Sequence, residues 1–101
     1  MTLKVEWSRD AQADREAVYR YLYQEAGLRV ADATDEKLRD IANILAENPH
    51  AGVKTGRVES RRKLVVPKFP FIMVYVVEPD QVWIARVLHT SRKIAGRYGR
   101  S

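Results

Sequence analysis

The sequence predicts an α+β fold: an N-terminal strand, an antiparallel helical hairpin, and then an antiparallel strand meander that forms one sheet. Two observations carry this prediction. Apolar residues recur at helical spacing between residues 9 and 47, and at the alternating spacing of strands after residue 52. The chain has 101 residues, of which 46% are hydrophobic, and this length provides one core. We therefore expect a single domain over residues 1–101, with a basic tail at 91–101.

The first three elements are indicated by alternation and by capping residues. Apolar side chains alternate with charged ones at the start of the chain, which predicts a short half-buried strand: Leu3, Val5 and Trp7. Ser8 stands where a helix N-cap belongs, and Gly27 ends that helix. A second apolar stripe predicts a helix from Leu28 to Glu47, which Asn48-Pro49 terminates. Two helices joined at one glycine favour an antiparallel hairpin.

Four short segments after residue 52 have strand character and are separated by turn residues. The predicted strands are Gly56–Glu59, Arg62–Val66, Phe69–Val77 and Gln81–His89. The last two are apolar on both faces, which is typical of interior strands. Because the two helices cover one face of the sheet, we expect the other face to receive a partner.

The charges are distributed unevenly along the chain, whose net charge is +5. Residues 1–52 contain seven Lys and Arg against ten Asp and Glu, whereas residues 53–101 contain eleven against three. A positive sheet surface attracts nucleic acid, a nucleic-acid-handling machine or an acidic protein. The chain has no cysteine, which excludes a thiol nucleophile, and two histidines make a metal site improbable. We expect a cytoplasmic protein with no cofactor and no membrane segment, because its longest apolar stretch is too short to span a bilayer.

Arg86 is the strongest single candidate for a functional residue, because it interrupts an otherwise apolar strand. A charge at such a position needs a partner or a place at the rim. One interpretation is an ion pair with Glu59 or Glu78, or an extended side chain that reaches solvent at the strand end. The other interpretation is contact with an anion.

His89 and three arginines suggest a phosphate-binding cluster. Arg62, Arg86 and Arg92 would stabilise a pentavalent phosphate while His89 transfers a proton, which is the chemistry of metal-free RNA cleavage through a 2′-hydroxyl. A histidine near a strand end is more often a hydrogen-bonded structural residue. No carboxylate lies at a short sequence spacing from His89, which weakens the catalytic interpretation.

The ordered combination of several short motifs resembles the RelE/ParE superfamily of toxins from type II toxin–antitoxin systems. The motifs are Arg62-x-Leu64, Pro70-Phe71, Tyr75 and Arg86-Val87-Leu88-His89-x-x-Arg92. The resemblance implies a small cytoplasmic toxin that a cognate antitoxin neutralises by binding it. The complex that it implies is a toxin–antitoxin heterotetramer. It also implies one of two targets, DNA gyrase or mRNA on the ribosome.

The resemblance favours the ParE branch, whose members inhibit gyrase. The ribonuclease branch places two lysines at alternate positions of one strand, but here Lys63 is followed at that spacing by Val65. The arginine of its next strand is replaced by Phe71 or Ile72, although Arg92 and Tyr98 match its C-terminal residues. The Leu88-His89-x-x-Arg92 ending is similar to ParE toxins. The alternatives are a ribosome-dependent endoribonuclease and a purely nucleic-acid-binding domain.

The candidate residues for contact with the target or the antitoxin are, on this interpretation, the basic residues of the meander and one aromatic residue: Arg62, Lys63, Tyr75, Arg86, His89 and Arg92. We expect the side chains of the three arginines to converge on one sheet face. In the ribonuclease alternative, His89, Arg62, Arg86 and Arg92 are the catalytic set.

Overall fold

A computed structural model of the chain describes residues 2–56 and 60–90. In this part of the chain two helices pack against one five-stranded sheet, in the predicted order of strand, helical hairpin and strands. The elements are β1 (Lys4–Trp7), α1 (Arg9–Ala26), α2 (Leu28–Glu47), β2 (Val53–Lys54), β3 (Arg61–Val65), β4 (Phe71–Val77) and β5 (Gln81–His89). The predicted fold class is confirmed.

Capping residues set the helix boundaries where the sequence places them. The Ser8 side-chain oxygen accepts a hydrogen bond from the Ala11 amide at 2.9 Å and so caps α1. Gly27 has φ 97° and ψ 170°, ends α1 and directly precedes α2. Residues with a side chain rarely adopt this conformation, so the one-residue link between the helices requires glycine. α2 ends at Asn48, before Pro49.

The first strand after the helices differs from the prediction. The sequence predicted a strand over 56–59, but β2 is formed by Val53 and Lys54, which pair with Lys63 and Arg62. Gly56 lies in a turn at φ 69°, which takes the chain out of the extended conformation. Residues 57–59 lie outside the described part. A second turn, in which Lys68 has φ 66°, delays the start of β4 to residue 71.

The sheet has the strand order β1-β5-β4-β3-β2. β2 to β5 pair antiparallel as predicted, whereas β1 pairs parallel with β5 and makes the sheet mixed. β4 and β5 are interior strands, in agreement with their apolar composition. The register shifts between Val74, which lies opposite Arg86, and Tyr75, which lies opposite Ile84. Ala85 is therefore an extra residue in β5 and forms a β-bulge.

One face of the sheet, called the inner face here, forms the core with the helices. Its buried strand residues come from the two interior strands: Phe71, Met73, Tyr75, Val82, Ile84 and Val87. They cluster with the apolar stripe of α2, including Leu38, Ile41 and Leu45. Neither described helix is long and apolar enough to cross a membrane.

Candidate functional site

The opposite face of the sheet, called the outer face here, carries a continuous apolar strip. Cross-strand partners point their side chains to the same face, so the register groups Ile72, Val74 and Val76 with their neighbours on either side. The strip consists of Ile72, Val74 and Val76 of β4, Trp83 and Leu88 of β5, and Val65 of β3. Val65 is 57% exposed and Trp83 37% exposed. A large exposed aromatic residue in an apolar strip is typical of a protein-binding surface.

Two cations of β3 lie beside this strip, and exposed Val53 of β2 lies on the same face beyond Lys63. Arg61 and Lys63 are exposed, and they lie on the outer face opposite Val76 and Val74. Neither forms an ion pair with any residue in the described part of the chain. On the other side of the strip, exposed Glu6 of β1 lies beside Trp83. Lys4, two residues before Glu6, is exposed on the same face of β1, opposite Gln81. The outer face is therefore basic at β3 and carries one charge of each sign at β1.

Arg86 has a different partner from either predicted one. Its guanidinium binds the Asp14 carboxylate of α1 through two contacts, Nε to Oδ2 at 2.8 Å and Nη2 to Oδ1 at 3.1 Å. The predicted pair with Glu78 is wrong, since the Glu78 carboxylate instead accepts a hydrogen bond from Gln81 at 2.6 Å, and Glu59 lies outside the described residues. β1 pairs with β5 only as far as Ile84, and this leaves the strand edge open for α1 to approach.

Asp14 was not predicted as a site residue, although it completes this edge of β5. Its Oδ2 also accepts a hydrogen bond from the Val87 amide at 2.8 Å, in place of the neighbouring strand that ends earlier. The signal in the sequence is its position: Asp14 falls at helical spacing between Ala11 and Val18, in the stripe that faces the sheet. A carboxylate in such a stripe needs a donor partner.

Tyr75 and Arg62 act inside the fold, on the inner face. Tyr75 is completely buried, and its hydroxyl accepts a hydrogen bond from the Gly52 amide and donates one to the Pro49 carbonyl, both at 2.8 Å. Arg62 Nη1 donates to the Gly52 carbonyl at 2.7 Å. Together these contacts hold the loop before β2. A side chain at Gly52 would collide with the carbonyl of Lys63, so the close approach requires glycine.

Burial raises the pKa of Tyr75, because the phenolate form would lose its hydration. The Gly52 amide and the Arg62 charge act in the opposite direction. Tyr75 is therefore neutral at physiological pH and can both donate and accept. Because Tyr75 has no exposed surface, it cannot contact the target or the antitoxin directly in this structure, contrary to the prediction.

His89 also belongs to the inner face. It lies opposite Phe71, and the two rings meet edge to face with centroids 5.2 Å apart. Arg62 pairs with Tyr75, which lies four residues further along β4 than Phe71, the partner of His89. Arg62 and His89 are therefore four residues apart along the strands and two strands apart across the sheet. At about 3.3 Å per residue and 4.8 Å per strand, the two backbone positions are about 16 Å apart.

The predicted residues thus divide between the two faces of the sheet. The expected convergence of the arginines on one face is wrong for the two that are described, since Arg62 pairs with Tyr75 of the inner face and Arg86 pairs with Val74 of the outer face. Lys63 lies on the outer face, and Tyr75 and His89 lie on the inner face. Arg92 and Tyr98 lie outside the described residues. No group of three or more His, Cys, Asp or Glu within residues 2–56 and 60–90 is placed to hold a metal ion.

Comparison of the fold with solved structures gives several toxin–antitoxin proteins. The chromosomal ParDE system from P. aeruginosa has a chain that matches with a TM-score of 0.77 and 23% identity, over 89% of this chain and 98% of that one. The toxin–antitoxin complex RelBE2 from Mycobacterium tuberculosis matches with a TM-score of 0.61 and 17% identity, over 88% and 99%. The E. coli DinJ-YafQ toxin–antitoxin complex has the same TM-score at 18% identity, over 88% and 93%.

The sequence itself decides between these related folds. The profile of the ParE toxin of the type II toxin–antitoxin system parDE matches residues 5–94, most of the chain. No curated protein sequence gives a significant match. The chain therefore belongs to the ParE family of toxins from type II toxin–antitoxin systems.

Proposed function

We propose that this ParE-family toxin arrests growth by inhibiting DNA gyrase in the cytoplasm, and that a cognate antitoxin neutralises it by covering the outer face of the sheet. The observation that supports the antitoxin contact is the apolar strip bordered by Arg61 and Lys63, because an amphipathic acidic segment complements both features. Both helices already pack on the inner face.

The ParE family match, together with the Leu88-His89-x-x-Arg92 ending, favours gyrase over mRNA as the target. The geometry adds a second argument. Proton transfer to a phosphate held by arginine needs groups within hydrogen-bond reach of one reacting centre. Arg62 donates to the Gly52 carbonyl and His89 packs against Phe71, with their backbones about 16 Å apart by strand geometry, which argues against a shared phosphate.

The target is tested by comparing two readouts after induction of the toxin. We expect purified toxin to block supercoiling of relaxed plasmid by gyrase, and induced cells to form filaments with an active DNA-damage response. Primer extension on mRNA should show no codon-phased cleavage. Codon-phased cuts with normal supercoiling would refute the proposal in favour of the ribonuclease, whereas salt-dependent DNA binding without growth arrest would favour a nucleic-acid-binding domain.

The histidine provides a second test of the same point. We expect His89→Ala to keep its toxicity, because His89 contacts Phe71 in the fold and is not proposed to transfer protons. The yield of soluble protein controls for the lost ring contact. Loss of toxicity at unchanged solubility would contradict a non-catalytic mechanism.

The partner is tested by co-expression with the small open reading frame beside the toxin gene. We expect its product to restore growth and to copurify with the toxin in a heterotetramer, measured by light scattering during size-exclusion chromatography. A toxin that this product neither binds nor neutralises would contradict the antitoxin proposal.

A further inference from the structure

We propose that Asp14 of α1 is a positioning residue for the outer face: it holds the Arg86 guanidinium at the edge of β5 and so keeps a charge off the apolar strip. The inference rests on the proposed function, because that function makes the outer face the surface that the antitoxin contacts. It follows from the register of Arg86, from the anchoring of Asp14 and from the neighbours of Arg86 along β5.

The register of β5 directs Arg86 towards the outer face. Arg86 lies opposite Val74, and cross-strand partners point their side chains to the same face. Along β5 it lies between Trp83 and Leu88, the two residues that this strand contributes to the apolar strip. An Arg86 side chain that extended straight out from its strand would therefore place a positive charge between them.

The guanidinium lies instead at the strand edge, because a carboxylate of α1 binds it there. Nε of Arg86 donates to Asp14 Oδ2 at 2.8 Å, and Nη2 donates to Oδ1 at 3.1 Å. This is the edge that β1 leaves open after Ile84. The bulge at Ala85 favours the arrangement, since a bulge bends its strand and turns nearby side chains from their regular direction.

Asp14 is the fixed member of this pair. Its Oδ2 also accepts a hydrogen bond from the Val87 amide at 2.8 Å, so the backbone of β5 holds the carboxylate in place. The Asp14 side chain is 17% exposed, whereas the Arg86 side chain is 43% exposed. The ion pair therefore determines the position of Arg86 more than that of Asp14.

A guanidinium released onto the strip would oppose an apolar partner. Covering the charge with an apolar side chain removes its water without supplying a hydrogen bond, which is unfavourable. While it is bound to Asp14, the same guanidinium keeps its hydrogen bonds at the strand edge. We therefore expect the loss of Asp14 to weaken the antitoxin contact through Arg86, although Asp14 lies on a helix that packs against the inner face.

The experiment is a double-mutant cycle on the affinity of the toxin for the antitoxin encoded beside it. We expect Asp14→Ala to weaken binding about fivefold, and Arg86→Ala to change it by less than about twofold. The double variant should bind within about twofold of the wild type, because it has no guanidinium to release. A purely structural role of Asp14 would not be reversed in this way, since the Val87 amide still lacks its acceptor.

Two further variants control for lost stability. Gly27→Ala perturbs the link between the helices without touching the ion pair, and it should change the affinity by less than about twofold. Asp14→Asn retains an oxygen acceptor for the Val87 amide and loses the charge. It should therefore fold like the wild type and still weaken binding about twofold to threefold.

NMR spectroscopy of the free toxin tests the positioning without the antitoxin. In Asp14→Ala we expect stronger NOE contacts from the Arg86 δ protons to the methyl groups of Val74 or Leu88 than in the wild type. In Gly27→Ala these contacts should stay at their wild-type strength. Unchanged contacts in Asp14→Ala would overturn the inference, whatever the antitoxin does.

The outcomes separate this inference from the proposed function. An antitoxin that does not bind the wild-type toxin contradicts the proposed function, and the NMR result then decides the positioning role by itself. Equal binding of all variants, or a double variant that binds as weakly as Asp14→Ala, overturns the positioning role and leaves the proposed function intact. A loss in Arg86→Ala as large as that in Asp14→Ala also overturns it, because the antitoxin would then bind the guanidinium itself.

Discussion

Single side chains of the inner face hold loop 49–52 to the sheet, and Tyr75 is the one whose contribution can be isolated. Tyr75→Phe keeps the ring in the core and removes both hydrogen bonds to that loop. Because the Gly52 amide loses its acceptor, we expect a loss of about 1–3 kcal/mol in the free energy of unfolding. Urea denaturation measures it. Tyr23→Phe, at a position that is 55% exposed, is the control and should change stability by less than about 0.5 kcal/mol.

The raised pKa of Tyr75 predicts how stability depends on alkaline pH. Above pH 10, the ordinary pKa of tyrosine, the unfolded chain loses the Tyr75 proton while the folded chain keeps it. The unfolded state then binds fewer protons, so stability falls as pH rises above 10 towards the pKa in the folded state. We expect this decline to be less steep in Tyr75→Phe. Parallel stability curves for the two proteins between pH 9 and 12 would contradict the buried, neutral tyrosine.

Asp14 stabilises the open edge of β5 through a charge and a backbone hydrogen bond. Asp14→Ala removes the partner of Arg86 and the acceptor of the Val87 amide, and we expect it to cost about 1–3 kcal/mol. Asp14→Asn retains an oxygen acceptor for Val87, so it should lie between the wild type and the alanine variant. Thermal unfolding of the three proteins at equal pH measures the order. An alanine variant as stable as wild type would show that solvent replaces both contacts.

The sequence indicated the character of individual residues better than their partners. Phe71 and Tyr75 alternate along β4 with outer-face residues, and both pack in the core. The partner of Arg86 could not be predicted, because Asp14 lies 72 residues away and the contact depends on β1 ending early. The division of Arg62 and Lys63 between the two faces follows from alternation alone, since neighbouring residues of a strand point to opposite sides.

Among the elements, the helical hairpin depends on one backbone conformation. Gly27 has φ 97° and ψ 170°, with no atom within 4 Å of a Cβ placed there. Steric contact with neighbours therefore does not explain the glycine, but its backbone conformation does. We expect Gly27→Ala to cost about 1–3 kcal/mol in the free energy of unfolding. Chemical denaturation monitored by circular dichroism measures this cost, and a change below about 0.5 kcal/mol would contradict the conformation of the link.

Elements with strong local signals were predicted accurately, and an element held by distant side chains was not. α2 has a capping glycine before it, a proline after it and a regular apolar stripe, and its predicted bounds of 28 and 47 are correct. β2 has two residues, too few for a periodic pattern. Its loop is held by Tyr75, 23 residues further along the chain from Gly52, which no local sequence signal reveals.

Across residues 2–56 and 60–90, ion pairs occupy acidic residues of the helices and leave two cations of the outer face without such a partner. Acidic residues of the helices are used for packing: Asp14 binds Arg86, and Asp35 binds Arg15 at 3.0 Å. Arg15 also lies over the Trp7 ring at 4.5 Å, which fixes the hairpin to β1. Arg61 and Lys63 have no such partner among the described residues. Arg61 and Lys63, two of the basic residues after residue 52, are therefore presented on a surface that an acidic partner can reach.

Side-chain footprinting of the toxin, alone and in complex with the antitoxin, examines that surface residue by residue. We expect labelling of Trp83, Val65 and Lys63 on the outer face to fall at least fivefold in the complex. Tyr23 and Leu28, which are each 55% exposed at the end of the helical hairpin, serve as the internal comparison and should retain their labelling. Protection confined to the hairpin, with the outer face labelled equally in both samples, would show that the antitoxin does not cover the outer face.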